Sequence, residues 1–166
     1  PTTPGLRDLQ AADSTARILS RLQEEREQLT RESGRSVPLA LKVAPDLEQD
    51  DIAALSKVFL DQGLDALIAT NTTTAREAVA DHPLQTEAGG LSGAPLTKPS
   101  TEVIAAFHAE LGDKIPIIGV GGIMCAEDAL AKINAGARLL QLYTGFIYRG
   151  PKLVHDIVNI TAEIPS

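Results

Sequence analysis

Four apolar runs alternate with helix-like segments along the chain, and this alternation constrains the fold more than any other feature. The runs span residues 37–44, 64–70, 115–120 and 139–144. Each is rich in Val, Ile, Leu and Ala and lacks the strict apolar-polar alternation of a strand with one solvated face. Strands buried on both faces are typical of parallel sheets covered by helices. The sequence therefore predicts an α/β fold built on a parallel sheet.

Capping and breaking residues bound the predicted helices. A charged helix is predicted from Asp13 or Ser14 to near Gly34, with an apolar stripe of Ile18, Leu19, Leu22 and Leu29. The later helices are predicted from Asp50 or Asp51 to Gly63, from a cap at Ser100 through Leu111, from about Ala126 to Gly136, and from Pro151 onward. The stretch 71–99 is predicted as a long loop, and loops of that length are usually functional or mobile.

Two architectures accommodate four strand-helix repeats in a single segment spanning residues 1–166. One is a doubly wound open sheet, and the other is half of a (β/α)8 barrel, whose full length is about 250 residues. Glycines after the third strand and the sequence Tyr143-Thr144-Gly145 at the end of the fourth favour the barrel, because barrels often bind phosphate in the loops after their last two strands. The pattern alone leaves both architectures open.

Composition excludes several classes of function. A net charge of -7 offers no basic surface for nucleic acid. Cys125 is the only cysteine, so no disulfide can form within the chain. No apolar stretch approaches the roughly 18 residues of a membrane span, and His82, His108 and His155 lack the spacing of a metal site. We therefore expect neither a metal nor a nucleic-acid partner, and the sequence specifies no oligomeric state.

Small and polar residues gather at the predicted strand ends. Gly121 and Gly122 could expose backbone N–H groups to a phosphate, or they could only form a tight turn. Lys42 lies within an apolar run, where its ammonium could meet an anionic ligand or extend to solvent. The sequence TNTTT from Thr70 could bind a ligand with carbonyl and N–H edges or simply cap a strand. The GGLSG loop that ends at Gly93 could be a linker or a close backbone approach to a ligand.

Six segments carry a resemblance to a known family: PTTPGLRDLQ, LKVAPDL, IATNTT, TEAGGLSG, PIIGVGGI and LLQLYTGFIYRGP. In this order and spacing they resemble dihydroorotate dehydrogenase of class 2, the quinone-reducing class. The resemblance implies a TIM barrel of which this chain supplies roughly the last four βα units. It also implies FMN as cofactor and oxidation of (S)-dihydroorotate to orotate in pyrimidine biosynthesis, with a membrane quinone as electron acceptor.

The same resemblance implies roles for individual residues. Asn71 and Thr72 match the pair that binds orotate, and Thr2 stands where the family has a substrate-binding asparagine. Lys42 matches the lysine beside the pyrimidine edge of the flavin, where its charge would stabilise the reduced anionic ring. The remaining residues that match flavin or phosphate contacts are Thr70, Gly93, Gly121, Gly122, Tyr143 and Thr144.

The resemblance also implies what lies outside these residues. The family's catalytic base is a serine that would stand immediately before Pro1. The first strands of the barrel and the helices of the quinone tunnel would also precede Pro1. We therefore expect residues 1–166 alone to be inactive. The whole enzyme would be peripheral to the cytoplasmic side of the bacterial inner membrane. Two alternatives are a non-catalytic half barrel that binds flavin or phosphate, and a TIM barrel that processes phosphosugars.

Overall fold

The computed structural model describes residues 11–162, and within them it contains four strands and six α-helices. The strands are β1 (Ala40–Val43), β2 (Ala66–Ala69), β3 (Ile117–Val120) and β4 (Ala137–Gln141). The helices are α1 (Ala12–Ser33), α2 (Gln49–Asp61), α3 (Thr97–Leu111), α4 (Ala126–Asn134), α5 (Thr144–Arg149) and α6 (Pro151–Ala162). Thr2 lies outside the described residues.

The strands form one parallel sheet in the order β1-β2-β3-β4. A doubly wound sheet reverses its strand order at a switch point, whereas a barrel adds each new strand beside the previous one. The observed order within residues 11–162 is that of consecutive barrel strands. It decides between the two architectures that the sequence left open.

The helices cover one face of this sheet. The main core lies between β1, β2, β3 and helices α2 and α3, and its largest fully buried side chains include Phe59 and Phe107, which stack at 6.0 Å between ring centroids. A smaller cluster under α4 and α6 contains Ile123 and Leu153. The opposite face carries a row of side chains in register across the four strands: Lys42, Ile68, Ile118 and Leu139. Lys42 is the single charged member of that row.

Two predicted element boundaries are wrong. Ser100 does not cap α3, because the helix begins at Thr97 and Ser100 is fully buried inside its first turn. Pro99 is tolerated there, since an N–H in the first turn of a helix has no intrahelical acceptor. The fourth strand begins earlier than predicted and ends at Gln141, and Thr144 opens the short helix α5 instead.

The apolar stripe and the caps of the first helices also differ from prediction. Of the four stripe residues only Leu19 is buried, because α1 packs mainly against α2 at the outer side of the sheet; the others are exposed, namely Ile18, Leu22 and Leu29. Helix α1 is preceded by Ala11, which makes no capping bond, and Asp13 lies in its first turn. Glu48 caps α2, and Asp51 completes a capping box with it.

Asp65 ties α1 to the start of the sheet. Its carboxylate accepts a hydrogen bond from Leu39 N at 2.7 Å and another from the Arg26 guanidinium. The Leu39 N–H, more than the Arg26 charge, lowers the pKa of Asp65 from its ordinary value. The folded protein therefore stabilises the carboxylate form of Asp65 relative to the protonated form.

We expect Asp65→Asn to lower the free energy of unfolding by about 0.5–1 kcal/mol at pH 7, a small value because the ion pair is partly exposed. A carboxyl group whose pKa is lower in the folded than in the unfolded protein stabilises the fold at pH values above its unfolded-state pKa. This contribution to stability is lost as the pH falls. The difference between wild type and variant should therefore narrow as the pH falls through 3.8, the ordinary value, and below. Urea unfolding at pH 7 and pH 3 checks this, with exposed Asp61→Asn as the control. An unchanged difference at both values would contradict it.

Candidate functional site

A cavity of about 420 Å³ lies at the carboxyl ends of the four strands. Ligand sites of parallel α/β folds and barrels are found at this edge of the sheet. All nine candidate residues that fall within residues 11–162 line it: Lys42, Thr70, Asn71, Thr72, Gly93, Gly121, Gly122, Tyr143 and Thr144. Residues that were not singled out also line it, among them Ser92, Leu96, Gln141 and Leu142. Lys42 of β1 and four further segments, residues 70–72, 92–96, 120–123 and 141–145, therefore meet at one concave site.

The ends of β1 and β2 supply an ammonium and several neutral polar groups. Lys42 is exposed on the cavity side of β1, while its neighbour Val43 is buried on the helix side. Thr70 is 1% exposed, and its hydroxyl donates to Asn71 O at 2.9 Å. Asn71 N donates to Val43 O at 2.7 Å, and Asn71 Oδ1 accepts from Thr72 N at 3.0 Å. The Asn71 amide NH₂ is left as a donor toward a ligand.

The loop after β2 is held by contacts with β1 and with itself. Asp46, just beyond β1, accepts hydrogen bonds from the Thr73 hydroxyl and from Thr74 N. Thr73 and Leu91 pair through two backbone hydrogen bonds of 3.1 and 2.8 Å. The Arg76 guanidinium donates to carbonyls on both sides of the loop, including Gly89 O at 2.7 Å. The GGLSG segment therefore reaches the cavity as a fixed loop.

Gly93 brings that loop against the end of β4. Its φ is +83°, and an added Cβ would lie 3.1 Å from Thr144 Cγ2. The Thr144 hydroxyl donates to Ser92 Oγ at 3.1 Å. Tyr143, which precedes α5, is 77% exposed at the rim of the cavity.

The turn after β3 presents Gly121 and Gly122 to the cavity, with φ values of +114° and +68°. Both glycine carbonyls point away from the cavity, toward the first turn of α3. Gly121 O accepts from Ser100 Oγ at 2.9 Å, and Gly122 O accepts from Thr97 Oγ1 at 2.5 Å. An added Cβ on Gly122 would stand 2.2 Å from Thr97 N. The turn therefore packs too closely on α3 for any side chain at position 122.

Sequence reasoning missed Lys132, which lies behind this turn. It is fully buried on α4, and its Nζ donates to Ser100 Oγ at 2.6 Å, Thr101 Oγ1 at 3.0 Å and Thr97 O at 3.3 Å. Burial lowers its pKa to about 8, against the charge of Asp128, which raises it. The available signal was weak: Lys132 follows the buried Ala129 by three residues and so shares its helix face.

Other chemically active residues lie away from the cavity. Cys125 caps α4 together with Asp128, and burial raises the pKa of its thiol, which disfavours the reactive thiolate. Within residues 11–162, no group of His, Cys, Asp and Glu side chains is arranged to hold a metal ion. The helices of that same range include none that is long and apolar enough to cross a membrane.

The sequence as a whole matches one family model, described as dihydroorotate dehydrogenase, over residues 1–164. The chain belongs to the dihydroorotate dehydrogenase family. Curated relatives named dihydroorotate dehydrogenase (quinone) from Akkermansia muciniphila, Chromobacterium violaceum and Pseudomonas putida strain W619 are 61%, 52% and 50% identical to it. These alignments cover 99%, 98% and 99% of this chain but 48%, 47% and 48% of the relatives.

Solved structures of this family agree with the fold. The crystal structure of DHODH from Eimeria tenella in complex with ferulenol superimposes with a TM-score of 0.89 at 34% identity. The match covers 98% of this chain and 48% of that one. The chain thus spans about half the length of the curated relatives it matches, and the predicted half of a TIM barrel is confirmed. The family match also removes the support for a phosphosugar-processing barrel.

Proposed function

We propose that this chain forms the flavin-phosphate and orotate-contacting half of a quinone-dependent dihydroorotate dehydrogenase. The proposed reaction is oxidation of (S)-dihydroorotate to orotate in UMP biosynthesis, with FMN as cofactor. One observation carries the proposal: nine residues that match cofactor and substrate contacts of the family line a single cavity. The names of the curated relatives support the choice of substrate and acceptor.

The Gly121-Gly122 turn fits the phosphate of FMN. Within the described residues, neither Gly122 N nor Ile123 N donates to a protein acceptor, and both residues line the cavity. Free backbone N–H groups in a glycine turn are a common phosphate cradle. Thr144 and Tyr143 line the same cavity and would supply further hydrogen bonds.

Lys42 and Thr70 would hold the ring system of the cofactor. When bound, FMN would supply the hydride acceptor for the substrate and the route for electrons to the quinone. Lys42 contributes a positive charge to the cavity, and among the described residues no carboxylate pairs with that charge. An unpaired cation favours a ring that gains negative charge on reduction. The positive φ of Gly93 turns the GGLSG backbone along the cavity, where the ring would contact it.

Asn71 and Thr72 would bind orotate. The Asn71 side chain is oriented by its bond to Thr72 N, so its NH₂ group is a directed donor for a carbonyl or carboxylate oxygen. The Thr72 hydroxyl can both donate and accept. The Asn71 NH₂ group can donate to the carbonyl and carboxylate oxygens of the pyrimidine, and the Thr72 hydroxyl oxygen can accept from its N–H groups. The assignment of Thr2 and of a base serine before Pro1 stays a prediction.

The proposed electron acceptor is a membrane quinone, which would reach the flavin through a region outside residues 1–166. The complete protein would then be peripheral to the cytoplasmic side of the inner membrane. The relatives' names, which specify quinone, support this acceptor.

The test uses the complete gene product, meaning the full translation product of the reading frame that contains residues 1–166. We expect a yellow protein that retains FMN on desalting, is bleached anaerobically by dihydroorotate and is reoxidised by a quinone. FMN retention without bleaching would favour the non-catalytic half barrel instead. A melting temperature raised by phosphosugars but not by orotate would favour the phosphosugar enzyme.

A further inference from the structure

Lys132 is the most deeply buried cation among residues 11–162, and it makes no ion pair there. An ammonium has three N–H donors, and three oxygens from residues 97–101 at the start of α3 lie within 3.3 Å of Nζ. Each donor can therefore be satisfied by a neutral acceptor. Desolvation makes such a cation costly, and the charge of Asp128 acts on it only from beyond ion-pair distance, so this buried lysine calls for a functional reason.

The acceptors of Lys132 are the same groups that hold the glycine turn. Ser100 Oγ accepts from Lys132 and lies 2.9 Å from Gly121 O and 2.6 Å from Leu96 O. Thr97, whose carbonyl accepts from Lys132, donates its hydroxyl to Gly122 O. Lys132 thus fixes both hydroxyl-bearing residues that contact the carbonyls of the turn.

Peptide planarity links these carbonyls to the cavity. In a trans peptide the C=O and the N–H of the next residue point in opposite directions. When Gly121 O points toward Ser100, Gly122 N–H points the other way, and the same holds for Gly122 O and Ile123 N–H. Gly122 and Ile123 both line the cavity. Holding the carbonyls against α3 therefore aims two N–H donors at the ligand.

We infer that Lys132 is a positioning residue: through Ser100 and Thr97 it orients the Gly121-Gly122 turn for the phosphate monoester of the ligand. This inference rests on the proposed function, which supplies that phosphate. Lys132 acts through other residues, because its own Nζ donates its hydrogen bonds to oxygens of α3. With a pKa of about 8 it is mainly the ammonium at neutral pH, the form with three donors.

A merely structural lysine and a positioning lysine differ in one measurable respect. Loss of general packing lowers the affinity for every ligand of the cavity, whereas loss of the phosphate cradle lowers the affinity only for ligands that carry a phosphate. FMN and riboflavin share the ring and differ in the phosphate. The ratio of their affinities therefore isolates the contribution of the turn.

The experiment titrates the apo form of the complete gene product with FMN and with riboflavin, following flavin fluorescence. We expect Lys132→Met to lower the affinity for FMN at least tenfold, while the affinity for riboflavin changes less than twofold. Lys98→Met is the matched control, since Lys98 is on α3 and exposed. Ser100→Ala keeps the helix and removes the link to Gly121 O, so it should reproduce the selective loss even if Lys132→Met folds poorly.

The outcomes separate the two proposals. Wild type should bind FMN more tightly than riboflavin. If the affinities for both ligands then fall by the same factor in Lys132→Met and in Ser100→Ala, the positioning role is overturned and the proposed function stands. An unchanged FMN affinity in both variants would overturn it as well. A wild-type protein that binds no FMN would overturn the proposed function together with the inference.

Discussion

Replacing Gly122 with alanine is expected to abolish FMN retention and to lower the free energy of unfolding by about 2–5 kcal/mol. The range adds roughly 1–2 kcal/mol for a side chain in a left-handed conformation to 1–3 kcal/mol for overpacking. The added Cβ would lie 2.2 Å from Thr97 N and 2.5 Å from Thr97 Cα. Both atoms are backbone of the first turn of α3, so no side-chain rotation can relieve the overlap.

The effect on the cofactor follows from the same displacement. If the turn moves away from α3, the N–H groups of Gly122 and Ile123 no longer converge. Two charge-assisted hydrogen bonds are each worth about 1.5–3 kcal/mol, so FMN affinity should fall roughly 100-fold or more. Desalting followed by flavin absorbance measures retention, and urea unfolding of the apoprotein measures stability.

Gly34→Ala is a closely matched control. Gly34 also has φ +68°, but no atom lies within 4 Å of an added Cβ. It reports the conformational cost alone, which we expect to be about 1–2 kcal/mol with full retention of FMN. Equal destabilisation by the two substitutions, with FMN retained in both, would refute the close-packing argument for Gly122.

The presence of a parallel sheet and the position of the site could be predicted from sequence because their signals are local. Runs of apolar residues mark buried parallel strands, and glycines and polar residues mark the loops at their carboxyl ends. In a parallel sheet these ends share one edge, so Lys42, Thr70 and Gly121 had to lie near one another. The cavity that they line follows from topology alone.

The support behind the site could not be predicted, because it depends on contacts between distant segments. Lys132 lies in a short helix of mixed composition, where a lysine is ordinarily exposed. Its burial requires the first turn of α3, more than 30 residues earlier in the chain. Ser100 was predicted as a cap, whereas the helix begins at Thr97. Helix α5 has 6 residues, too few for a periodic pattern.

Removing the charge of Lys42 is the second substitution with a large expected effect, and it should act on the reaction rather than on the fold. We expect Lys42→Met to slow flavin reduction by dihydroorotate roughly 100- to 1000-fold, the range observed when one electrostatic stabiliser of a developing charge is removed. FMN retention should change little, because the phosphate cradle is the Gly121-Gly122 turn after β3. Anaerobic stopped-flow absorbance of the complete gene product measures the rate.

The location of Lys42 explains why this effect should be specific. Its register partners on the cavity face are Ile68, Ile118 and Leu139, so no neighbour in that row can replace its charge. Its exposure within residues 11–162 means that the methionine leaves no buried polar group unpaired, and the melting temperature should stay close to that of wild type. Lys57→Met, an exposed lysine on α2 far from the strand ends, should leave both rate and stability unchanged. Lys42→Arg should restore part of the rate, since it keeps the charge but changes its geometry. If the rate of flavin reduction in Lys42→Met were within twofold of the wild-type rate, the cation would have no role in hydride transfer. Its position in the cavity would then reflect only an extended side chain at a strand end.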